Sequence, residues 1–239
     1  MNHAVIVAGG TGSRMGLGFN KVFAELGGEP VLAHTIRAFE NSASIDSITV
    51  VAGNPDAGSA EDDCAKVLEI VHAAGFTKVR KAVAGGSTRM ASVENGLMSL
   101  GAAEDDIVLV QDGGRPFVTP ALIEELICAV KEHGAAVCGV VPNDTIHAID
   151  AEGFVKDTYD RSRLLAVHTP AAARWGTLKA ARDKARSDGY LDAPGFEDSA
   201  VLARFGAKVK IVQSRHENIK LTTPQDMQLA AAILADCKN

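Results

Sequence analysis

Short β-branched runs alternate with amphipathic stretches along most of the chain. The β-branched runs predict six strands, at 3–8, 47–52, 78–83, 106–112, 135–141 and 207–213. Apolar residues recur at helical spacing between and after these runs, which predicts helices at 30–40, 88–100, 119–133 and 224–236. A strand covered by helices on both faces is apolar throughout, because neither face meets water. The alternation therefore predicts an α/β fold with a Rossmann-like, doubly wound, mostly parallel sheet.

One segment, at 143–165, breaks this alternation. It predicts two short strands, around TIHAI and FVKD, joined by a turn at 150–153. A hairpin that projects from the core exposes its edges, and pairing with a second subunit is one way of covering them. No flexible linker or internal repeat interrupts the chain. We therefore expect a single domain over residues 1–239, with a dimerisation arm at about 143–165.

Composition and charge exclude several classes of protein. Hydrophobic residues make up 46% of the 239 positions and charged residues 23%, which excludes a disordered tail, a collagen-like fibre and a coiled coil. The net charge of −6 gives no basic face for nucleic acid. The longest apolar runs are far shorter than the ~20 residues of a membrane span. The 4 cysteines form no CxxC pair and are predicted to be reduced thiols, so we expect a cytoplasmic protein that binds neither nucleic acid nor membrane.

A glycine-rich loop, AGGTGSRMG at 8–16, directly follows the first strand. Glycines let backbone N–H groups approach a phosphate without interference from a Cβ atom. Arg14 and Lys21 add two cations, which suits a triphosphate; a glycine-rich surface turn is the structural alternative. A dinucleotide site would need an acidic residue at the end of the second strand. That strand ends in Val-Ala-Gly-Asn at 51–54, which counts against such a site.

A second candidate follows the fourth strand, where Asp112 precedes Gly-Gly and Arg115. Ligands of open α/β sheets bind at the carboxyl ends of strands. A carboxylate in that position could hold Mg²⁺ against phosphate oxygens. The guanidinium of Arg115 could bind two oxygens of a phosphate. An ordinary turn, in which the aspartate bonds its own backbone, is the alternative for the same residues.

Several ordered motifs together resemble the 2-C-methyl-D-erythritol 4-phosphate cytidylyltransferases of the non-mevalonate isoprenoid pathway. They are AGGTGSRMG with NKVF and HTIRAF, AGGSTRMASV, VLVQDGGRPF, VPNDTI, DRSRLLAVHTP and NIKLTTPQDM, and they cover nearly the whole chain. The resemblance implies a nucleotidyltransferase fold of the GT-A-like kind. It implies an enzyme that transfers CMP from CTP to 2-C-methyl-D-erythritol 4-phosphate, with Mg²⁺ as cofactor and pyrophosphate as by-product. It also implies a homodimer, whose projecting arm matches the predicted hairpin.

The resemblance assigns roles to individual residues. The catalytic cations on the phosphates would be Arg14, Lys21 and Lys220, and Asp112 would hold the magnesium. The nucleotide would be bound by Ala8, Gly9, Gly10, Gly12, Gly86, Arg89 and Ser92. The substrate would be bound by Thr145, Arg161, Thr169 and Arg115, with Arg115 reaching the sugar phosphate from the partner subunit.

The chain departs from the family's pattern at three points. Ala171 stands where the family usually has glutamine, Ser87 where it has aspartate, and Phe196-Glu197 where it has Thr-Asp. None of the 7 histidines is assigned a catalytic role. The attacking phosphate monoester has its second pKa near ~6, so at neutral pH it needs no general base.

Three other functions are weighed against this one. A ribitol 5-phosphate cytidylyltransferase would share the glycine loop, the aspartate and the final Asn-Ile-Lys, although the stretch at 160–170 looks more like the methylerythritol phosphate enzymes. An NADP-binding oxidoreductase is disfavoured by the missing ribose acid and by Lys21, Asp112 and Lys220. A non-catalytic nucleotide-binding regulator would be expected to lose Lys21 or Asp112, and both are present.

Overall fold

A computed structural model of the chain describes residues 1–10, 19–54, 59–190 and 197–237. The strands within these ranges are β1 (Asn2–Ala8), β2 (Glu25–Leu26), β3 (Glu29–Pro30), β4 (Ser47–Ala52), β5 (Val79–Ala84), β6 (Ile107–Asp112), β7 (Ala135–Val140), β8 (Ile146–Ile149), β9 (Val155–Tyr159), β10 (Ala166–Arg174) and β11 (Val209–Gln213). The helices are α1 (Val31–Glu40), α2 (Ala60–Ala74), α3 (Arg89–Met98), α4 (Pro120–His133), α5 (Trp175–Ser187), α6 (Asp198–Arg204) and α7 (Pro224–Asp236). All six predicted strands and all four predicted helices are present.

Seven strands form one sheet in the order β11-β7-β10-β6-β1-β4-β5. The pairs of β1 with β4 and β6, of β4 with β5 and of β7 with β11 are parallel. Among the described strands of this sheet, only β10 runs antiparallel to its two neighbours, β6 and β7. The predicted α/β fold with a mostly parallel sheet is therefore confirmed. The sequence pattern did not identify β10 as a strand, because alanine is depleted in strands and three of them follow Pro170.

Helices cover both faces of this sheet, and alternate residues of each central strand point to opposite faces. In β1, Ala4, Ile6 and Ala8 pack with side chains of α1, α2 and α4. Val5, between them, packs on the other face with side chains of α3, α5 and α6. This two-sided burial is the reason that the central strands are continuous apolar runs. None of the helices in the described ranges combines the length and the apolar character needed to cross a membrane.

The segment at 143–165 forms the predicted hairpin. Its two strands, β8 and β9, pair only with each other, in an antiparallel two-stranded sheet separate from the main one. Ile149, Phe154 and Val155 are 67%, 66% and 61% exposed on it. Apolar side chains at this exposure leave a face of the hairpin uncovered within the described chain.

Helix α3 approaches the sheet closely at Gly96. A Cβ atom added there would lie 2.5 Å from Cγ1 of Val5 and 2.6 Å from Cγ2 of Val51. Both valines belong to central strands, and β-branched side chains have little freedom to turn aside. The glycine in the last turn of α3, which costs helix propensity, is explained by this contact.

We expect Gly96→Ala to lower the free energy of unfolding by about 1–3 kcal/mol, since overpacking outweighs the gain in helix propensity. Urea denaturation measures the change. Met98→Ala, at an exposed position of the same helix, is the control and should stay within about 0.5 kcal/mol of wild type. A Gly96→Ala protein as stable as the control would show that the helix is not held this closely to the sheet.

Candidate active site

A cleft of about 340 Å³ opens at the edge of the sheet where β1, β4, β5 and β6 end. Its lining includes residues 8–10 after β1, Asn54 after β4, residues 86–89 before α3, and Asp112 at the end of β6. Lys21 and Lys220 complete the wall. The cleft lies where parallel strands present their carboxyl ends, which is the usual ligand site of such sheets.

Close packing between loops shapes the floor of the cleft. A Cβ atom on Gly85 would lie 2.4 Å from the carbonyl oxygen of Gly53, so only glycine allows these two loops to meet. The N–H of Gly86 donates to Oγ of Ser92 at 3.0 Å, and the Ser92 hydroxyl donates to the carbonyl of Thr88 at 2.9 Å. Ser92 therefore fixes the loop between β5 and α3 from inside the helix.

Asp112 carries the negative charge of the cleft and is held by two cations. Nε of Arg89 donates to its Oδ1 at 2.9 Å, and Nζ of Lys220 donates to its Oδ2 at 2.6 Å. Burial acts to raise the pKa of this carboxyl, but the charges of Arg89 and Lys220 outweigh burial and hold the pKa well below its usual range. The carboxylate is therefore ionised at neutral pH.

Thr169 and Asn218 fasten the wall behind Asp112. The backbone N–H of Asp112 donates to Oγ1 of Thr169 at 3.0 Å. The Nδ2 group of Asn218 donates to the Thr169 carbonyl at 3.1 Å, and the N–H of Leu221 donates to the Gly114 carbonyl at 2.9 Å. These bonds fix the chain on either side of Lys220, so the lysine reaches the cleft from an anchored segment.

The structure brings most of the predicted site residues together. On the cleft itself lie Ala8, Gly9, Gly10, Lys21, Gly86, Arg89, Ser92, Asp112 and Lys220. Thr169 adjoins Asp112 from behind. Gly12 and Arg14 lie outside the described residues. The roles of all these residues stay predictions.

Three residues predicted to bind substrate do not line the cleft. Arg115 is buried, and its Nη1 donates to the carbonyl of Asn218 at 2.7 Å, beneath the segment that carries Lys220. Thr145 is exposed just before β8. Arg161 is exposed at the end of the hairpin and donates to the carbonyl of Asn143. Within this chain, the three do not line the cleft, and their contact with substrate stays a prediction.

Sequence reasoning assigned no role to three residues that shape the site. Asn20 is buried, bonds the carbonyl of Ala8 and caps the turn that begins at Lys21. Asn218 positions the second lysine, as described above. Asp198, which is 1% exposed, accepts from Nη1 of Arg89 at 3.2 Å. The first two lie inside quoted motifs, whereas nothing in the local sequence marks Asp198 as a partner of Arg89.

The residues at which the chain departs from the family's pattern differ in burial. Ala171 is buried in β10, where it pairs with Val110. Ser87 lines the cleft. Burial raises the pKa of the Glu197 carboxyl, whose side chain accepts from the Ser199 hydroxyl. Phe196 lies outside the described residues.

The donor set is compatible with a divalent cation bound mainly by phosphate oxygens. Asp112 is the only carboxylate among the described residues that line the cleft. In the part of the chain that is described, no group of three or more His, Cys, Asp or Glu side chains could cage a metal. Mg²⁺ is commonly held by one or two carboxylates, by water and by substrate phosphates. The described residues therefore fit an ion that arrives with a polyphosphate.

Neither a nearby thiol nor a nearby imidazole is set up for acid, base or nucleophilic chemistry. Burial raises the pKa of the Cys138 thiol to about 12, which keeps it protonated. Nδ1 of His168 lies 3.1 Å from Oγ of Ser214. Burial, together with the charges of Arg115 and His216, lowers the pKa of His168 to about 4. The imidazole is therefore neutral at pH 7.

Sequence comparisons match the whole chain to one family. The model of the 2-C-methyl-D-erythritol 4-phosphate cytidylyltransferases matches residues 2–236. The protein of that name from Clostridium acetobutylicum is 40% identical over 234 residues, which are 98% of this chain and 97% of the relative. The one from Geobacillus thermodenitrificans is 41% identical over 239 residues, covering 98% of each chain.

Solved structures that are similar to this chain carry the names of the same family. The crystal structure of 4-diphosphocytidyl-2C-methyl-D-erythritol synthase from Anaerococcus prevotii superimposes with a TM-score of 0.82 at 28% identity, over 98% of this chain and 96% of that one. The 2-C-methyl-D-erythritol 4-phosphate cytidylyltransferase from Thermus thermophilus gives a TM-score of 0.74 at 27% identity, over 98% and 100%.

The lowered pKa of His168 predicts a pH dependence of stability. An unfolded histidine titrates near 6.5 and folded His168 near 4, so between these values the unfolded chain binds more protons. The contribution is therefore fully present above pH 6.5 and is lost as the pH falls towards 4. We expect His168→Gln to reduce the fall in unfolding free energy between pH 7 and pH 5 by about 1 kcal/mol, measured by urea denaturation, because solvent screens part of the effect at a half-buried imidazole. An unchanged fall would contradict the burial argument.

Proposed function

The chain belongs to the 2-C-methyl-D-erythritol 4-phosphate cytidylyltransferase family, and from this membership we infer that its cleft transfers CMP from CTP to 2-C-methyl-D-erythritol 4-phosphate. The products are 4-diphosphocytidyl-2-C-methyl-D-erythritol and pyrophosphate, in isoprenoid biosynthesis. The resemblance read from the motifs is thereby confirmed. The observation that carries the assignment to this cleft is the cluster of Lys220, Asp112 and Arg89, which lines the same cavity as residues 8–10.

The reaction joins two anions, so the protein's main tasks are to offset negative charge and to align the reacting groups. The acceptor phosphate attacks the α-phosphorus of CTP, the new P–O bond forms, and pyrophosphate leaves with the electrons of the broken bond. We assign Lys21 and Lys220 to the α-phosphate, where charge builds up in the transition state. We assign the glycine loop to the remaining phosphates, and Gly86 and Ser92 to the cytidine.

Asp112 is the residue that we propose as the protein ligand of Mg²⁺. Its carboxylate is ionised, it lines the cleft, and each oxygen keeps a lone pair beyond its bond to Lys220 or Arg89. When bound, the ion would neutralise charge on the phosphates of CTP. Lys220, bonded to the same carboxylate, would be held beside those phosphates.

We propose that the active protein is a homodimer joined through the hairpin of β8 and β9. The exposed apolar side chains of Ile149, Phe154 and Val155 support this, because a hairpin on its own leaves them in water. Thr145 and Arg161, which flank the hairpin, would then be brought by one subunit towards the cleft of the other. This accounts for their distance from the nucleotide pocket of their own chain.

We propose a cytoplasmic location, which the cysteines support. Cys64, Cys128, Cys138 and Cys237 are all free, and Cys128 and Cys237 are exposed. Exposed free thiols persist in reducing compartments and tend to oxidise outside them.

The assignment is tested by measuring pyrophosphate release with CTP, ATP, GTP and UTP, each combined with methylerythritol 4-phosphate or ribitol 5-phosphate. We expect CTP with methylerythritol 4-phosphate to give a kcat/KM at least about tenfold above that with ribitol 5-phosphate, or ~1.4 kcal/mol in transition-state binding. Faster turnover of ribitol 5-phosphate would overturn the acceptor and leave the nucleotide assignment standing.

Two lysine variants connect this activity to the cleft. Lys220→Met should lower kcat by about a hundredfold to a thousandfold, because a charge donor at the reacting phosphate is lost. Lys210→Met removes an exposed lysine from β11 and should retain wild-type turnover. Equal activity of the two variants would show that Lys220 plays no part in the reaction.

The dimer is tested by placing a charge on the hairpin. We expect Phe154→Glu to convert the protein from dimer to monomer in sedimentation velocity, since a buried carboxylate at an apolar interface is unfavourable. Leu68→Glu, at an exposed apolar position of α2, is the matched control and should leave the dimer intact. A Phe154→Glu protein that remains a dimer would place the interface elsewhere.

A further inference from the structure

Asp198, at the start of α6, is a buried carboxylate with both oxygens bound by arginines. It is 1% exposed. Its Oδ2 accepts from Nη1 of Arg89 at 3.2 Å, and its Oδ1 accepts from Nη1 of Arg182 at 2.8 Å. Arg89 is the residue that also holds Asp112. The buried aspartate and the aspartate of the cleft therefore share one guanidinium.

Arg182, on α5, has no place on the cleft, yet all three nitrogens of its guanidinium are bonded. Beyond its bond to Asp198, Nε donates to Oε2 of Glu94 at 3.0 Å, and Nη2 donates to the carbonyl of Met90 at 3.1 Å. Both acceptors belong to α3, the helix that begins with Arg89. The side chain of Arg182 is only 3% exposed. Arg182 thus joins α6 to the first turn of the helix that carries the cleft's arginine.

The charges alternate in sign from the cleft to the interior: Lys220, Asp112, Arg89, Asp198 and Arg182. Each of the three inner groups has an opposite charge on both sides. A buried charge that loses one partner draws more strongly on the partner that remains, because no water is available to replace the lost bond. If Asp198 lost Arg182, its remaining partner would be Arg89.

We propose that Arg182 is a positioning residue for the transfer reaction, because by holding one oxygen of Asp198 it leaves Nε of Arg89 free to hold Asp112. Without Arg182, the fork of Arg89 would turn towards both oxygens of Asp198 and release Oδ1 of Asp112. The carboxylate at the end of β6 would then be oriented by Lys220 alone. The consequence for turnover rests on the proposed function, whereas the position of Arg89 does not.

The first test compares Arg182→Met with the double variant Arg182→Met/Asp198→Asn. We expect Arg182→Met to lower kcat about 10–100-fold, as is typical when the partner of a ligand residue is removed. The double variant removes the unpaired buried charge and should recover kcat to within about threefold of wild type.

Arg186→Met is the matched control. Arg186 lies on the same helix and pairs with the same Glu94, but it is half exposed and has no contact with Asp198. Its loss should leave kcat unchanged. Arg182→Lys keeps a charge for Asp198 while losing the forked contacts to α3, so its kcat should fall between those of wild type and Arg182→Met. A merely structural role would leave the bond from Arg89 to Asp112 in place, so the position of Arg89 is measured as well.

A second readout does not depend on turnover. The Nε–H resonance of Arg89 in ¹H–¹⁵N spectra, assigned by its absence from Arg89→Lys, should shift in Arg182→Met and return in the double variant. If the wild-type protein turned over neither acceptor, the proposed function would be overturned. The spectra would still decide the position of Arg89. A resonance unmoved in a folded Arg182→Met, or a double variant no more active than Arg182→Met, would overturn the positioning role. Should Arg182→Met fail to fold, Arg182→Lys and the double variant decide by the same two readouts.

Discussion

A carboxylate buried at the end of a central strand is stable as an ion only beside positive charge, and Asp112 obtains that charge from two distant parts of the chain. Arg89 precedes it by 23 residues and Lys220 follows it by 108. Removing one partner from a buried pair typically costs about 3–5 kcal/mol. The start of α3 and the path of the chain after β11 are therefore both constrained by this one side chain. The electrostatic arrangement that suits phosphate chemistry is also the arrangement that allows Asp112 to be buried.

The antiparallel strand β10 connects these constraints. In β10, Thr169 uses its hydroxyl to accept from the N–H of Asp112 and its carbonyl to accept from Asn218. One residue thus links the end of β6 to the segment that carries Lys220. A strand running the other way would bring its opposite end to this edge of the sheet. Among the described strands of this sheet, β10 alone is antiparallel to its neighbours. It lies next to the cleft, where Thr169 makes these two bonds.

The sequence predicted those parts of the structure that local pattern controls. Apolar periodicity marked the central strands, and Asp112 was placed near the glycine loop because parallel strands share their carboxyl edge. The triad of Arg89, Asp198 and Arg182 was not predictable in this way, since Asp198 lies 109 residues from Arg89 and no local rule pairs them. Arg115 illustrates the same limit. Its position beside Asp112 suggested a phosphate anchor, whereas its bond to the carbonyl of Asn218, 103 residues away, follows from no local rule. Its contact with substrate stays a prediction.

The late position of Lys220 in the sequence has a consequence for how the protein is made. A chain grows from its amino terminus, and the glycine loop, Asp112 and Arg89 emerge long before β11 and the anchored segment behind it. Until Asn218 and Leu221 have formed their bonds to Thr169 and Gly114, the carboxylate has a cation on one side only. The charge balance of the cleft is therefore completed only after β11 and the segment that follows it have been synthesised.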